Sequence, residues 1–371
     1  MEGKVNGQRD LGLDLLRILS MLMIFGMHLL YQGGAFAAAK EGSAVWVTMV
    51  VLESLFFSSV NCFALISGYV LCRSRFKMMR VLRFWAQVWF YSVLLTLIRL
   101  AIDPSGVTVS EILGSLFPIL RGRLWYASSY VGLLFLIPFV NRLLRSMNKR
   151  QHLVFLCVLL LLFSVLMTLS VDDPFGINYS GHSTPWLLVL YVVGAYLKCY
   201  PPNWTRRQCA WGALIALFLT AASKVCLFWM TRRILGHAQG LGVLVREVSP
   251  TVVIIALCLF WIFRGIRVRN AFLQRVIPKF GPLAFAVYAI HLQPLLWDAM
   301  RGSFAFLAQH GVLFLLAGNF GLSVLATAVG MAIDLLRQQL FRILHVEAGL
   351  LRLSEGLQFL WNRAVGRLLN S

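Results

Sequence analysis

Arg17 and His28 stand eleven residues apart in an otherwise apolar run, and Asp14 precedes the arginine by three. On an α-helix eleven steps of about 100° leave the two only about 20° apart around the axis and roughly 16 Å apart along it. Asp14 joins the same face one turn earlier. An imidazole with an unperturbed pKa of about 6.5 accepts a hydroxyl proton at neutral pH, so His28 is suited to general-base catalysis. Glu53 enters the next apolar run, where it could meet His28, orient the ring and stabilise its protonated form. Further on, Arg73, Arg75, Lys77, Arg80 and Arg83 place five cations in eleven residues. Arg80 and Arg83 share a helix face, and such a pair could grip phosphates bidentately.

Each of these residues also has a plainer reading. Arg17 serves equally as a snorkelling anchor. His28 reads as an interhelical hydrogen bond or a rim residue, and Glu53 as a group facing the water layer. Asn61 and Ser67, later in the second run, read as hydrogen-bonding glue between helices. The arginine run satisfies orientation signalling or contact with anionic lipid. Trp125 and Tyr126 open the fourth run as an aromatic belt would, and His291 places a second imidazole in a late apolar run.

The elements that must position these groups are membrane helices. Of the 371 residues 59% are hydrophobic and 13% charged, with a mean hydropathy of +0.78. Soluble chains carry about a quarter charged residues. An all-α, polytopic helix bundle follows, with about ten transmembrane helices near residues 13–31, 45–71, 82–102, 124–143, 152–170, 185–199, 209–230, 249–264, 281–300 and 311–336. The stretch at 185–199 is short, and 112–120 is short enough to be re-entrant or interfacial. Residues 1–345 form the membrane domain. Residues 346–371 form a tail, in which Leu350, Leu353, Leu357, Leu360, Trp361, Ala364 and Leu368 recur at helical spacing beside Arg352, Arg363 and Arg367. That tail is expected as an amphipathic helix on the cytoplasmic surface.

Charge sets the expected orientation. Of the 34 Lys and Arg residues, only Lys40, Arg121, Arg123, Arg232, Arg233, Arg246 and Arg301 fall on one side, while Arg99 and Lys224 lie within spans. The rest, from Lys4 to Arg367, fall on the other, which places both termini in the cytoplasm. Segments 33–44, 171–184 and 231–247 are then outside, and 72–83, 142–151 and 264–279 inside. The first span also resembles a signal peptide, with Ala35-Phe36-Ala37 as the cleavage site. Asp14 and His28 are foreign to such a segment, and its removal would spoil the even count. The net charge of +20 is spread in short runs between spans, so nucleic acid is not the expected partner. Seven cysteines without a C-x-x-C support neither disulfides nor a metal site. No P-loop, G-x-S-x-G or H-E-x-x-H motif occurs.

In their order these elements resemble the integral membrane acyltransferases of the acyltransferase 3 family. Arg17 and His28 look like that family's opening Arg and His separated by ten residues. Ser67-Gly68-Tyr69 resembles its S-G-F/Y element, and Arg80 through Arg83 its R-x-x-R. Leu124-Trp125-Tyr126 resembles L-W-F/Y, and Tyr288 through His291 resembles Y-x-I-H. The run Val60-Asn61-Cys62-Phe63 looks closest to bacterial surface-polysaccharide O-acetyltransferases. One branch carries a Glu where this chain has Tyr130, so a role for that acid does not carry over. The resemblance implies acyl-CoA as donor, acetyl-CoA above others, and a carbohydrate hydroxyl as acceptor, in the bacterial cytoplasmic membrane. Arg17, Arg80 and Arg83, with Arg73 and Arg75, would hold the donor phosphates. His28 would deprotonate the acceptor or carry the acyl group, with Glu53 orienting it. The rival reading is a transporter or flippase of a glycan or small metabolite, which also needs polar groups at membrane depth.

Overall fold

The computed structural model describes residues 9–170, 173–175, 181–240 and 242–366; Lys4, Arg367, Leu368 and part of the 171–184 loop lie outside them. Helix α1 (Leu11–Leu30) starts at Asp10, whose side chain accepts from the Leu13 amide. A short α2 (Ala35–Ala38) leads to α3 (Ala44–Phe56) and α4 (Ser58–Leu71). Then come α5 (Met78–Ile102), α6 (Val109–Leu116) and α7 (Trp125–Ser146). Helix α8 (Lys149–Leu160) runs through a π-helical turn into α9 (Leu166–Leu169). The second half contains α10 (Thr184–Cys199), α11 (Arg206–Leu235), α12 (Pro250–Arg264) and α13 (Ala271–Phe280). It closes with α14 (Ala284–His291), α15 (Pro294–Met300), α16 (Gly311–Ile343) and α17 (Val346–Trp361). The described residues contain no strand.

Among the described residues seven stretches are long and apolar enough to cross a bilayer, and an eighth is a pair bent by 76° between Ala271–His291 and Pro294–Ala308. The remaining two expected positions hold shorter apolar helices, α10 and α12. At 1.5 Å per residue these reach only about 24 and 22 Å, short of the roughly 30 Å hydrocarbon layer. Helix α10 is buried along most of its length, so protein surrounds it and lipid thickness does not set its length. Helix α6 spans about 12 Å and does not cross, in keeping with the expected interfacial segment.

Two expected spans are broken, and both breaks face the interior. Between α3 and α4 the hydroxyls of Ser58 and Ser59 bond the carbonyls of Leu55 and Phe56 at 2.7 and 2.6 Å, competing with the helix ladder at Phe57. Between α14 and α15, Pro294 lacks an N–H and disfavours helix at the residue before it. The Ile290 carbonyl it leaves is taken by the Gln293 amide at 3.1 Å, and the Gln293 side chain donates to the Ala289 carbonyl at 2.9 Å. Irregular backbone at membrane depth is stable where protein covers it or a cavity adjoins it.

Helices α4 and α10 pack backbone against backbone. A Cβ at Gly68 would lie 2.1 Å from the Tyr191 carbonyl oxygen, and one at Gly194 would lie 2.2 Å from that of Leu65. Glycines let backbones approach where lipid offers no hydrophobic drive for association. The glycine of Ser67-Gly68-Tyr69 is thus a packing requirement. Helix α17 folds back on the bundle: Gln358 accepts from the Met78 amide at 2.8 Å, and Trp361 stacks on Phe76 with centroids 4.5 Å apart. Its Leu351, Leu353, Phe359 and Leu360 remain exposed, as an amphipathic surface helix requires.

Candidate active site

The break at Phe57 borders a cavity of about 440 Å³, at the end of the bundle where α1 finishes and α7 begins. Phe56, Phe57, Ser59 and Phe63 come from the first break, Trp125 and Tyr126 from α7, and Phe285 and Tyr288 from α14. His28, in the last turn of α1, opens into it.

His28 is held by a partner 263 positions away. Its Nδ1 lies 2.7 Å from Nε2 of His291, which is buried at the end of α14. Nδ1 of His291 lies 2.5 Å from the Val287 carbonyl oxygen. A carbonyl only accepts, so His291 carries its proton on Nδ1 and presents a bare Nε2. The proton between the rings therefore belongs to Nδ1 of His28, leaving Nε2 of His28 unprotonated. That atom is the free base of the pair, and no other hydrogen bond to the His28 side chain occurs among the described residues. Trp297 packs edge-on against the His28 ring, centroids 5.0 Å apart.

Glu53 does not pair with His28, contrary to the sequence-based expectation. It is 2% exposed; one oxygen accepts from Nζ of Lys224 at 2.6 Å and the other from the Tyr31 hydroxyl. The physical reason is Lys224, a cation within a span, which demands an anion more strongly than a neutral imidazole does. Tyr31 in turn lines the cavity. Sequence reading noted Lys224 only as a residue inside a span; an opposite charge at similar depth was the signal for this pair.

The opposite wall carries two residues that sequence reading missed. Nε2 of His182 lies 2.8 Å from Oε1 of Glu247, and Trp125 packs on the His182 ring with centroids 4.4 Å apart. Burial works against charge on His182, but the hydrogen bond and charge of Glu247 outweigh it and raise its pKa above the ordinary histidine value. Asn61 supports this wall: its amide donates to the Glu247 carbonyl at 2.8 Å, and its oxygen accepts from the Trp186 indole at 3.1 Å. Both residues lie in loops that only the fold brings together. Ser67 bonds the Phe63 carbonyl of its own helix at 3.0 Å and does not line the cavity. Tyr126 donates its amide to the Tyr288 hydroxyl at 3.2 Å and stacks on Tyr130.

The basic residues gather at the other end of α1, in two neighbouring recesses that share Pro282. Asp14, wholly buried, accepts from Arg17 and, at 2.6 Å, from Nε of Arg9. Arg17 and Arg9 line the first recess with Tyr69 and Lys198. Arg83 lines the second, where Arg337, Arg342 and His345 join it, and both its Nε and Nη2 lie 2.9 Å from Glu347. The five arginines expected to act together are therefore dispersed. Arg80 is half-buried beside neither recess, and Arg73 and Arg75 are exposed and line neither. The i, i+3 spacing of Arg80 and Arg83 did put them on neighbouring faces, but α17 draws Arg83 toward Glu347.

An apolar, aromatic cavity bordered by the free imidazole nitrogen of His28, set in a polytopic bundle with basic recesses at the other end of α1, suits transfer chemistry on a hydroxyl. The family model described as an acyltransferase domain matches residues 10–333, and the chain belongs to the acyltransferase 3 family. It is a membrane acyltransferase. Neither a curated protein nor a solved structure matches the chain.

Proposed function

We propose that this chain is an O-acyltransferase of the bacterial cytoplasmic membrane that moves an acetyl group from cytoplasmic acetyl-CoA to a carbohydrate hydroxyl near the opposite face. The observation that carries the reading is the line of contacts from Nδ1 of His28 to Nε2 of His291 and from Nδ1 of His291 to the Val287 carbonyl, which leaves Nε2 of His28 free where that residue borders the cavity. That nitrogen takes the acceptor's hydroxyl proton as the oxygen attacks the thioester carbonyl. The carbon–sulfur bond then breaks, and the thiolate leaves with the proton returned by His28, so the products are the acetyl ester and free CoA. Throughout, the imidazolium keeps donating through Nδ1 to His291.

Two further features support the substrates. Trp125, Tyr126, Phe63 and Tyr288 offer flat apolar faces, and His182, Glu247 and Tyr31 offer polar groups among them, the pairing that a sugar ring with hydroxyls at its edge requires. Arg9, Arg17 and Lys198 supply charge for phosphates at the other end of α1. The excess of Lys and Arg on that side argues that it faces the cytoplasm, where acyl-CoA is made.

His28→Ala tests the reading by transfer of labelled acetyl from acetyl-CoA in membranes, with protein abundance measured alongside. Transfer should disappear while abundance stays near normal, because an interhelical hydrogen bond in membranes averages only about 0.6 kcal/mol. Transfer at the wild-type rate would end the proposal.

A further inference from the structure

The side of the bundle where α1 ends carries few Lys and Arg, yet Arg99, Arg121, Arg123 and Arg301 collect there around one recess. It measures about 530 Å³ and is lined by Ser110 and Glu111 of α6, by Arg121 and Arg123 of the segment before α7, and by Pro294 at the head of α15. Two carboxylates serve the four guanidinium groups. Glu111 lies 3.4 Å from Arg99 and 3.8 Å from Arg123, and Asp298 lies 3.0 Å from both Arg99 and Arg301. Asp103, just past the end of α5, is taken by the Ser105 hydroxyl and the Gly106 amide. Arg121 has no carboxylate partner among the described residues; it donates to the Ser110 hydroxyl at 3.0 Å. The Arg123 side chain is only 8% exposed and donates to the Glu111 carbonyl and the Thr96 hydroxyl, while its Nε finds no hydrogen-bond partner among the described residues. Burial presses the pKa of Arg123 below the ordinary guanidinium value; the Glu111 charge opposes that shift without cancelling it, and Arg99 adds to it. The recess is short of negative charge.

We propose that this recess seats a lipid phosphate, the group through which the carbohydrate acceptor is tethered to the membrane, with Arg121 and Arg123 as its ligands and the Ser110 hydroxyl beside them. The inference rests on the acyltransferase reading and names the class of its acceptor. Cations on this side run against the positive-inside signal, so topology does not account for them. Guanidinium groups pair with phosphate oxygens through charge-assisted, directional bonds, which accounts for arginine and not lysine here. Ile112, Leu113, Leu116, Phe117 and Leu120 are exposed along α6 and just after it, an apolar strip against which a lipid chain lies. An anion held beside that strip arrives attached to a lipid. The recess also backs onto the candidate active site. Arg123 stands two residues before Trp125, which lines the cavity, and Asp298 follows Trp297, whose ring packs against His28. A carbohydrate joined to the phosphate then enters the cavity from the membrane side, while Glu111 stays with Arg99.

The test uses the full chain in detergent micelles and compares, by native mass spectrometry, the retention of farnesyl phosphate, farnesol, phosphatidylglycerol and inorganic phosphate. Wild type should hold farnesyl phosphate about tenfold more tightly than any of the other three, because it alone joins a phosphate dianion to an isoprenoid chain. Arg121→Gln should weaken it about fivefold, the loss of one exposed charge-assisted contact, with thermal unfolding unchanged. Glu111→Gln removes the competing anion and should tighten it about twofold to fivefold, a gain that misfolding cannot imitate. In membranes, farnesyl phosphate should lower the transfer of labelled acetyl without raising the KM for acetyl-CoA. Equal retention of phosphatidylglycerol or of inorganic phosphate, no effect of Arg121→Gln, or transfer that bound farnesyl phosphate leaves unchanged would each overturn the inference while leaving the acyltransferase reading intact. Wild-type membranes that transfer no acetyl would instead remove that reading, and the acceptor role of this recess with it.

Discussion

Replacing His291 by alanine removes the acceptor that fixes the His28 tautomer. In the resting state Nδ1 of His28 donates across 2.7 Å to a neutral ring. In the transition state the same bond is made by a forming imidazolium and becomes charge-assisted, worth about 1.5–3 kcal/mol. At about 1.4 kcal/mol per factor of ten, its loss should lower kcat roughly 10- to 100-fold, with the donor KM little changed because the basic recesses lie at the other end of α1. His28→Ala removes the base itself, an effect of about 10²–10⁴. Since His291 acts through His28, the double variant should be no slower than His28→Ala alone. His291→Gln offers an amide oxygen as acceptor and should recover part of the rate. The assay is acetyl transfer by purified protein in nanodiscs at saturating donor, with thermal unfolding as the control for packing. A wild-type kcat in His291→Ala, or single effects that multiply in the double variant, would refute the dyad.

Two other outcomes probe the walls of the cavity. Lys224→Ala leaves Glu53 buried without its cation and should destabilise by about 3–5 kcal/mol, whereas Glu53→Gln/Lys224→Met should unfold near the wild-type temperature; equal losses in thermal unfolding would argue against a buried pair. His182 has a folded pKa raised by Glu247 above its unfolded value of about 6.5, so its contribution to stability is full below that pH and fades as pH rises through the folded value. NMR titration of the imidazole should show a midpoint that drops in Glu247→Gln, and an unshifted midpoint would dismiss the pair.

Hydropathy and the distribution of Lys and Arg located ten apolar stretches, because the need to satisfy every backbone group in lipid acts on each segment by itself. Arg17 and His28 were likewise legible as one face of one helix, since their relation depends only on helical pitch. Asp14 with Arg17 is such a local pair, and the structure keeps it. What spacing cannot carry is which side chains meet across the bundle. His28 met His291 and not Glu53, because Lys224 on α11 took the acid. Arg83 left Arg80 for Glu347, because α17 folds back on α5. Asn61 became the prop of the Glu247 loop, and Gly68 a contact with the α10 backbone, only once α4, α10 and α12 had packed. The breaks at Phe57 and Pro294 had local causes in Ser58, Ser59 and proline, but the cavity that the Phe57 break borders required α1, α7 and α14 to pack around it. Local sequence determined the elements and the charged groups they carry; burial of charge and close packing among distant helices decided the partners, because those energies depend on neighbours that only the tertiary structure supplies.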